Sequence, residues 1–128
     1  MRHSPRFLAL VGRAKEQIPE CTAEDVINQA SELGEFVLID VREAHEFEAG
    51  HAAGAVHMSK GTLERDIEHR YPDPATPLVL YCGGGYRSAL SAAALHDMGY
   101  QRVWSMAGGW RAWTSARGPT STPPDTAS

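Results

Sequence analysis

The sequence predicts an α/β domain built on a mainly parallel sheet. Short apolar runs, each long enough for one buried strand, alternate along the chain with segments of helical spacing. The clearest runs, at 36–39 and 78–81, are apolar without a break, which is typical of parallel strands covered on both faces. A chain of 128 residues has the size of one domain and can bury a layered core without disulfides.

Two helices are predicted before the first strand. Apolar side chains in residues 6–18 repeat on one helix face, and Pro19 ends that pattern. Residues 22–25, Thr-Ala-Glu-Asp, resemble a capping box and predict a second helix that runs to Gly34. The first strand then follows at 36–39.

The remaining elements continue the alternation. They are a helix at 44–49, a strand at 55–58, a helix at 62–71, a strand at 77–81, a helix at 88–98, a strand at 102–104 and a last helix opened by Gly108-Gly109. From Gly118 the chain is rich in Pro, Thr and Ser, so residues 118–128 are predicted to be a disordered tail.

Composition excludes several classes of protein. The net charge is −4 and basic residues form no block, so a nucleic-acid partner is not expected. Two distant cysteines make neither a disulfide framework nor a zinc site, and no metal is expected. No run approaches the ~20 apolar residues of a membrane span, and the run at 7–11 is too short for a signal peptide. We therefore expect no membrane partner and a cytoplasmic protein whose thiols stay reduced.

Cys82 is the strongest candidate for chemistry. It ends the strand at 77–81, and it is followed by Gly83-Gly84-Gly85-Tyr86-Arg87-Ser88 and a helix. Glycines let backbone N–H groups turn toward a sulfur, the helix N-terminus adds partial positive charge, and Arg87 adds a full charge. Ser88 is a candidate to cap the helix and to donate to the sulfur. The pattern predicts a stabilised thiolate beside an anion site. The alternative is an inert core cysteine followed by a plain turn.

Four motifs in order resemble the single-domain rhodanese (thiosulfate sulfurtransferase) family. They lie at 38–47 (Leu-Ile-Asp-Val-Arg-Glu, then Glu-Phe), at 50–58 (Gly-His-Ala-Ala-Gly-Ala-Val-His-Met), at 81–88 around Cys82, and at 106–113 (Met-Ala-Gly-Gly-Trp-Arg-Ala-Trp). The resemblance implies a three-layer rhodanese-like fold over residues 20–117. Residues 1–19 are then an N-terminal helical extension.

The resemblance also implies an activity. Cys82 would take the outer sulfur of thiosulfate or a related persulfide donor and pass it to a thiophilic acceptor by a ping-pong mechanism. Residues Gly83, Gly84, Gly85, Tyr86, Arg87 and Ser88 would bind the substrate, with Arg87 orienting the small anionic donor. The expected acceptor is cyanide, a thiol or a sulfur-carrier protein, and no cofactor is expected.

Loop length bears on the alternatives within this fold. Counting from Cys82, Arg87 is the sixth residue, as in sulfur-transferring rhodaneses, whereas related phosphatases and arsenate reductases have a loop one residue longer. The triple glycine departs from the commoner loops and leaves the substrate open. A protein-to-protein sulfur carrier and a non-catalytic rhodanese-like binding module also stay open, although an intact Cys82 argues against the module.

Several other polar residues have structural interpretations. Asp40 and Arg42 end a buried strand, and we expect a fold-holding role in which Arg42 pairs with Glu46 at helical spacing. His51 and His57 are expected to be structural rather than proton carriers.

Three further positions complete the prediction. Lys60 is either an ordinary surface lysine or a cation at the pocket mouth. Cys21 is expected to be a bystander thiol. Trp110 and Trp113 are expected to pack in or beside the core.

Overall fold

A parallel sheet forms the centre of the molecule. The computed structural model describes residues 2–122. Within that range one sheet has the spatial order β1 (Glu20–Cys21), β6 (Val103–Met106), β5 (Leu78–Tyr81), β2 (Val37–Asp40) and β4 (Val56–His57). Every pairing between these neighbours is parallel. The predicted α/β fold with a mainly parallel sheet is confirmed.

Helices cover both faces of this sheet. They are α1 (Pro5–Gln17), α2 (Ala23–Ile27), α3 (Ala44–Ala49), α4 (Lys60–Arg70), α5 (Tyr86–Asp97) and α6 (Gly109–Ser115). Side chains alternate along β5, because successive residues of a strand point to opposite faces. Leu78 and Leu80 pack in one core with α4 and α5, whereas Val79 and Tyr81 pack in a second core with α2 and α6. The result is the expected three-layer arrangement.

Helix α1 lies outside these layers, against α5. Val11 and Ala14 are buried and form a separate apolar cluster with Ala89 of α5. Leu8 and Leu10 point away from this contact and are exposed. The N-terminal helix therefore continues the structure on the side of α5, the helix that directly follows the Cys82 loop.

The second predicted helix is shorter than expected. The capping box is present, since Thr22 Oγ1 accepts from the Asp25 N–H and Asp25 Oδ2 accepts from the Thr22 N–H. However, α2 ends at Ile27, Gln29 takes a φ of 51°, and only a 3₁₀ turn at Ser31–Leu33 continues toward Gly34. Positive φ breaks a right-handed helix, so the apolar spacing up to Leu33 reflects burial rather than one helix.

The predicted disordered tail is wrong for residues 118–122. Strand β7 (Thr120–Ser121) pairs antiparallel with β3 (His51–Ala52). The Pro119 carbonyl also accepts from the Trp113 indole at 2.9 Å. Backbone hydrogen bonds to β3 order this polar segment. Amino-acid composition does not indicate such pairing, so the sequence alone predicted disorder. Residues 123–128 of the predicted tail lie outside the described residues.

Candidate active site

Two backbone N–H groups point at the sulfur of Cys82. Sγ accepts from the Gly85 N–H at 3.1 Å and from the Ser88 N–H at 3.3 Å. The Ser88 hydroxyl lies 3.5 Å from the same sulfur and 2.8 Å from the Ser105 hydroxyl. Such an arrangement stabilises negative charge on sulfur, because each N–H dipole presents its positive end.

The local sequence explains why these N–H groups are free to face sulfur. Helix α5 begins at Tyr86, and its N-cap is Gly85 with a φ of 98° and no side-chain cap. A helix leaves its first N–H groups without intrahelical partners. In α5 the Cys82 sulfur fills the place of a capping side chain. Ser88 is not the cap that the sequence predicted, because it lies in the third helical position.

Helix α6 supports the Cys82 loop from the next strand connection. The Trp110 N–H donates to the Cys82 carbonyl at 2.7 Å, and the Arg111 N–H donates to the Gly83 carbonyl at 3.1 Å. A Cβ at Gly109 would collide with the Cys82 carbonyl and the Gly83 backbone. This close approach explains why glycine stands at position 109, where φ is 51°.

Arg87 is held by Glu46 rather than standing free. The guanidinium donates to both Glu46 carboxylate oxygens, at 2.9 and 3.2 Å. This contact lowers the pKa of Glu46 to about 2. Arg87 Nη2 also lies close to the loop, since a Cβ on Gly83 would be 3.2 Å from it. The glycine at position 83 thus leaves room for the Arg87 side chain beside Cys82.

A pocket of about 590 Å³ opens above the sulfur. It is lined by residues from the loop, from α3, from α6 and from the N-terminal segment: Cys82, Gly83, Gly84, Tyr86, Arg87, Glu46, Arg111, His3 and Phe7. The structure therefore brings Cys82 together with most of the predicted loop residues. Gly85 and Ser88 instead act beneath the pocket through their N–H groups.

A family comparison fits this geometry. The sequence model of the rhodanese-like domain family matches residues 22–116 of this chain. The chain belongs to the rhodanese-like domain family. Membership supports sulfurtransferase chemistry in general.

Individual relatives agree with the family match. This rhodanese-like domain is 34% identical over 87 residues to the thiosulfate sulfurtransferase GlpE of Coxiella burnetii, covering 68% of this chain and 78% of the relative. A solved polysulfide-sulfur transferase homodimer from Wolinella succinogenes is 28% identical, with a TM-score of 0.76 over 91% of this chain and 88% of that one.

A third relative matches most of this chain. It is a protein of unknown function from Rhodopseudomonas palustris, described as a possible tyrosine phosphatase. It is 32% identical, with a TM-score of 0.77 over 94% of this chain and 99% of that chain.

The Asp40 and Arg42 side chains of this rhodanese-like domain form a buried network. Arg42 donates to both Asp40 oxygens and to the Gly50 carbonyl, and Tyr81 donates to Asp40 at 2.6 Å. The predicted pair between Arg42 and Glu46 is wrong. Arg42 precedes α3 and is turned inward to Asp40, which leaves Glu46 free to reach Arg87.

Other predicted positions lie away from the sulfur pocket. Cys21 is buried in the core on the α2 and α6 side, and burial, with the Asp25 carboxylate, raises its pKa to about 12. Lys60 begins α4 and does not line the pocket. The rings of His51 and His57 both stack on Phe47. Each ring also forms a hydrogen bond with a backbone carbonyl, that of Phe47 for His51 and that of Arg42 for His57.

Trp113 belongs to the core on the α2 and α6 side, and Trp110 packs against that core. Trp113 is buried, and the Arg42 guanidinium lies 4.9 Å above the Trp110 ring. Within residues 2–122, no three His, Cys, Asp or Glu side chains gather as a metal site. In the same range no helix is long and apolar enough to cross a membrane.

Sequence reasoning missed part of the pocket wall. Glu46 and Arg111 fell inside the family motifs but were given no role at the site, and His3 and Phe7 lay outside every motif. The one available signal was the apolar helix face at 6–18, which predicts that the N-terminal helix packs on something. It does not predict that α1 lines the pocket above Cys82.

Proposed function

We propose that this protein transfers the outer sulfur of thiosulfate, or of a related persulfide donor, to a thiophilic acceptor through a persulfide on Cys82. The observation that supports this most is the pair of N–H groups, from Gly85 and Ser88, that face Sγ at the base of an open pocket. A thiolate is the reactive form of a cysteine, and these dipoles favour it.

The first half-reaction forms the persulfide. The Cys82 thiolate attacks the outer sulfur of thiosulfate, a new S–S bond forms, and the old S–S bond breaks. Sulfite leaves with the electron pair of the broken bond. The negative charge then lies on the outer persulfide sulfur, within reach of the N–H groups that begin α5.

The second half-reaction transfers the outer sulfur of the Cys82 persulfide to the acceptor. A nucleophile such as cyanide attacks the outer sulfur, and the Cys82 thiolate is the leaving group. The same dipoles that stabilised the attacking thiolate stabilise the departing one, so one set of contacts serves both directions. Two separated half-reactions produce ping-pong kinetics.

Arg87 belongs to donor binding in this proposal. Its bidentate bond to Glu46 fixes the plane of the guanidinium at the pocket wall, where a small anion can meet its remaining N–H groups. The six-residue loop and the names of the curated relative and the Wolinella structure favour sulfur over phosphate. A phosphatase remains the competing chemistry, since one relative is described as a possible tyrosine phosphatase.

The test compares the two cysteines. Thiocyanate formation from thiosulfate and cyanide is measured for the parent protein, Cys82→Ala and the matched control Cys21→Ala. We expect parallel double-reciprocal plots for the parent, a loss of at least about 10³-fold for Cys82→Ala and little change for Cys21→Ala. Hydrolysis of an aryl phosphate by the parent, abolished in Cys82→Ala and unaccompanied by thiocyanate formation, would contradict the proposal.

A further inference from the structure

Three aromatic rings, from the residues before α1, from α1 itself and from the start of α5, line the sulfur pocket. Phe7 lies one turn before Val11, the residue that anchors α1 on α5. The His3 ring lies 5.2 Å from the Phe7 ring and 4.5 Å from the Tyr86 ring, and the Phe7 and Tyr86 rings are 6.2 Å apart. All three side chains line the same pocket as Cys82. We call them the aromatic wall.

The same pocket is also lined by charged side chains, and one of these, Arg111, has no ion-pair partner among the described residues. Glu46 and Arg87 neutralise each other in a bidentate ion pair. Arg111 lines the pocket, is exposed, and makes no ion pair among the residues that the structure describes. A ligand in this pocket therefore has both aromatic surface and a guanidinium without an ion-pair partner within the same lining.

Thiosulfate and cyanide do not need such a pocket. Both are small, fully polar ions without an apolar part, and the aromatic wall offers them nothing. The pocket volume of about 590 Å³ falls in the range of roughly 300–1,000 Å³ that is typical of sites for small organic ligands. Apolar surface on a ligand that packs against aromatic rings contributes binding free energy in proportion to the area removed from water.

We propose that the sulfur acceptor is a low-molecular-weight organic thiol that has an apolar body and a carboxylate. The apolar body packs on the aromatic wall and the carboxylate faces Arg111. This inference rests on the proposed persulfide chemistry and names the acceptor class for that same site. The acceptor thiolate attacks the outer sulfur of the Cys82 persulfide, a new S–S bond forms on the acceptor, and the Cys82 thiolate leaves with the electron pair.

The test uses two thiols that differ by one apolar group. Protein loaded with thiosulfate is discharged by β-mercaptopropionate or by α-benzyl-β-mercaptopropionate, which share the thiol and the carboxylate. We expect kcat/KM for the benzyl compound to exceed that for the plain compound at least about tenfold. In Phe7→Ala this preference should fall below about threefold, and in Phe7→Leu it should be intermediate.

A matched control lies on the same helix. Leu8 is exposed and does not line the pocket, so Leu8→Ala should keep the full preference for the benzyl thiol. Arg111→Gln should lower the rate with both carboxylate thiols about threefold relative to β-mercaptoethanol and leave the benzyl preference unchanged. The ratio between two thiols is insensitive to a general loss of active protein.

Each outcome has a defined meaning. A persulfide that cyanide discharges, in a protein that shows no benzyl preference, would overturn this inference and leave the proposed function standing. An equal loss of preference in Leu8→Ala and Phe7→Ala would also overturn it, because the wall would then not be the cause. Failure to form any persulfide would overturn the proposed function and this inference with it.

Discussion

Cys21 and Cys82 occupy similar places in the fold and differ in their surroundings. Each thiol stands at the carboxyl end of a parallel strand in the same sheet, each is buried, and each is followed by a helix. Position at a strand end therefore does not by itself make a cysteine a candidate nucleophile. The difference lies in what the following helix does with its first N–H groups.

Helix α2, after Cys21, uses its own side chains. Thr22 and Asp25 exchange hydrogen bonds in a capping box, and those bonds satisfy N–H groups at the start of the helix. Helix α5, after Cys82, has Gly85 as its N-cap and no side-chain cap, and the Gly85 and Ser88 N–H groups turn to the sulfur. A side chain that caps a helix competes for the donors that a thiolate needs.

Charge strengthens the contrast. Besides burial, the carboxylates of Asp25, Glu20 and Glu32 raise the pKa of Cys21. Among the described residues that line the Cys82 pocket, the one carboxylate is that of Glu46, and Arg87 neutralises it. The surroundings of Cys21 thus disfavour a thiolate, whereas the Cys82 sulfur accepts from two backbone N–H groups. The predictions below test this difference in order of expected size.

Alkylation should separate the two thiols most clearly. At pH 8, a pKa of about 12 leaves Cys21 almost entirely protonated, and its burial away from the pocket blocks access. We expect iodoacetamide to label Cys82 at least about 10³-fold faster than Cys21, measured by peptide mapping of the native protein. Equal labelling of both cysteines, or labelling that persists in Cys82→Ala, would break the comparison.

Displacing the Cys82 loop from α6 should have the next largest effect on sulfur transfer. Gly109→Ala places a methyl group against the Cys82 and Gly83 backbone and should displace the loop. We expect sulfur transfer to fall about 10²-fold, since misplaced N–H groups no longer face the sulfur. Gly61→Ala, in α4 with open space around it, is the matched control and should leave the rate unchanged. A fully active Gly109→Ala would show that the loop position is unimportant.

The Ser88 hydroxyl should contribute less than the backbone. It lies 3.5 Å from the sulfur, farther than either N–H donor, and it also forms a hydrogen bond with the Ser105 hydroxyl. Ser88→Ala keeps the N–H that faces Sγ, so we expect only an about fivefold loss in the rate of persulfide formation. Stopped-flow measurement of sulfite release checks this. A loss as large as that of Gly109→Ala would mean that the hydroxyl, not the backbone, stabilises the thiolate.

The pair of Glu46 and Arg87 should have the smallest effect, seen as acid sensitivity. The folded pKa of Glu46, about 2, is below its ordinary value of 4.5, so its contribution is present above about pH 4.5 and is lost as pH falls toward 2. A double-mutant cycle of Glu46→Gln and Arg87→Met should give a coupling of about 1 kcal/mol at pH 6, decreasing at lower pH in urea unfolding. A coupling that grows on acidification would contradict this assignment.

Local sequence patterns predicted the fold better than the contacts around the site. The runs at 36–39 and 78–81 have the unbroken apolar character of strands buried on both faces, and β2 and β5 form there, at the centre of the sheet. Strands β1, β3 and β7 have two residues each, too few to show any period, and all three were missed.

The site shows the same limit. The Cys82 loop is continuous in sequence, so its glycines, its strand and its helix could be interpreted together. The partners of that loop are distant: Glu46 is 41 residues from Arg87, and Phe7 belongs to a helix whose packing partner is α5. Helical spacing suggested Glu46 for Arg42, but Arg42 lies before α3 and a buried Asp40 was the stronger partner.

The most direct measurement is the mass of the native protein after thiosulfate, with the modified residue located by peptide mapping. We predict one added sulfur atom, on Cys82, that cyanide removes, and no addition on Cys21. Sulfur on Cys21, or no cyanide-labile sulfur on either cysteine, would contradict the claim that the uncapped helix after Cys82 makes that thiol the reactive one.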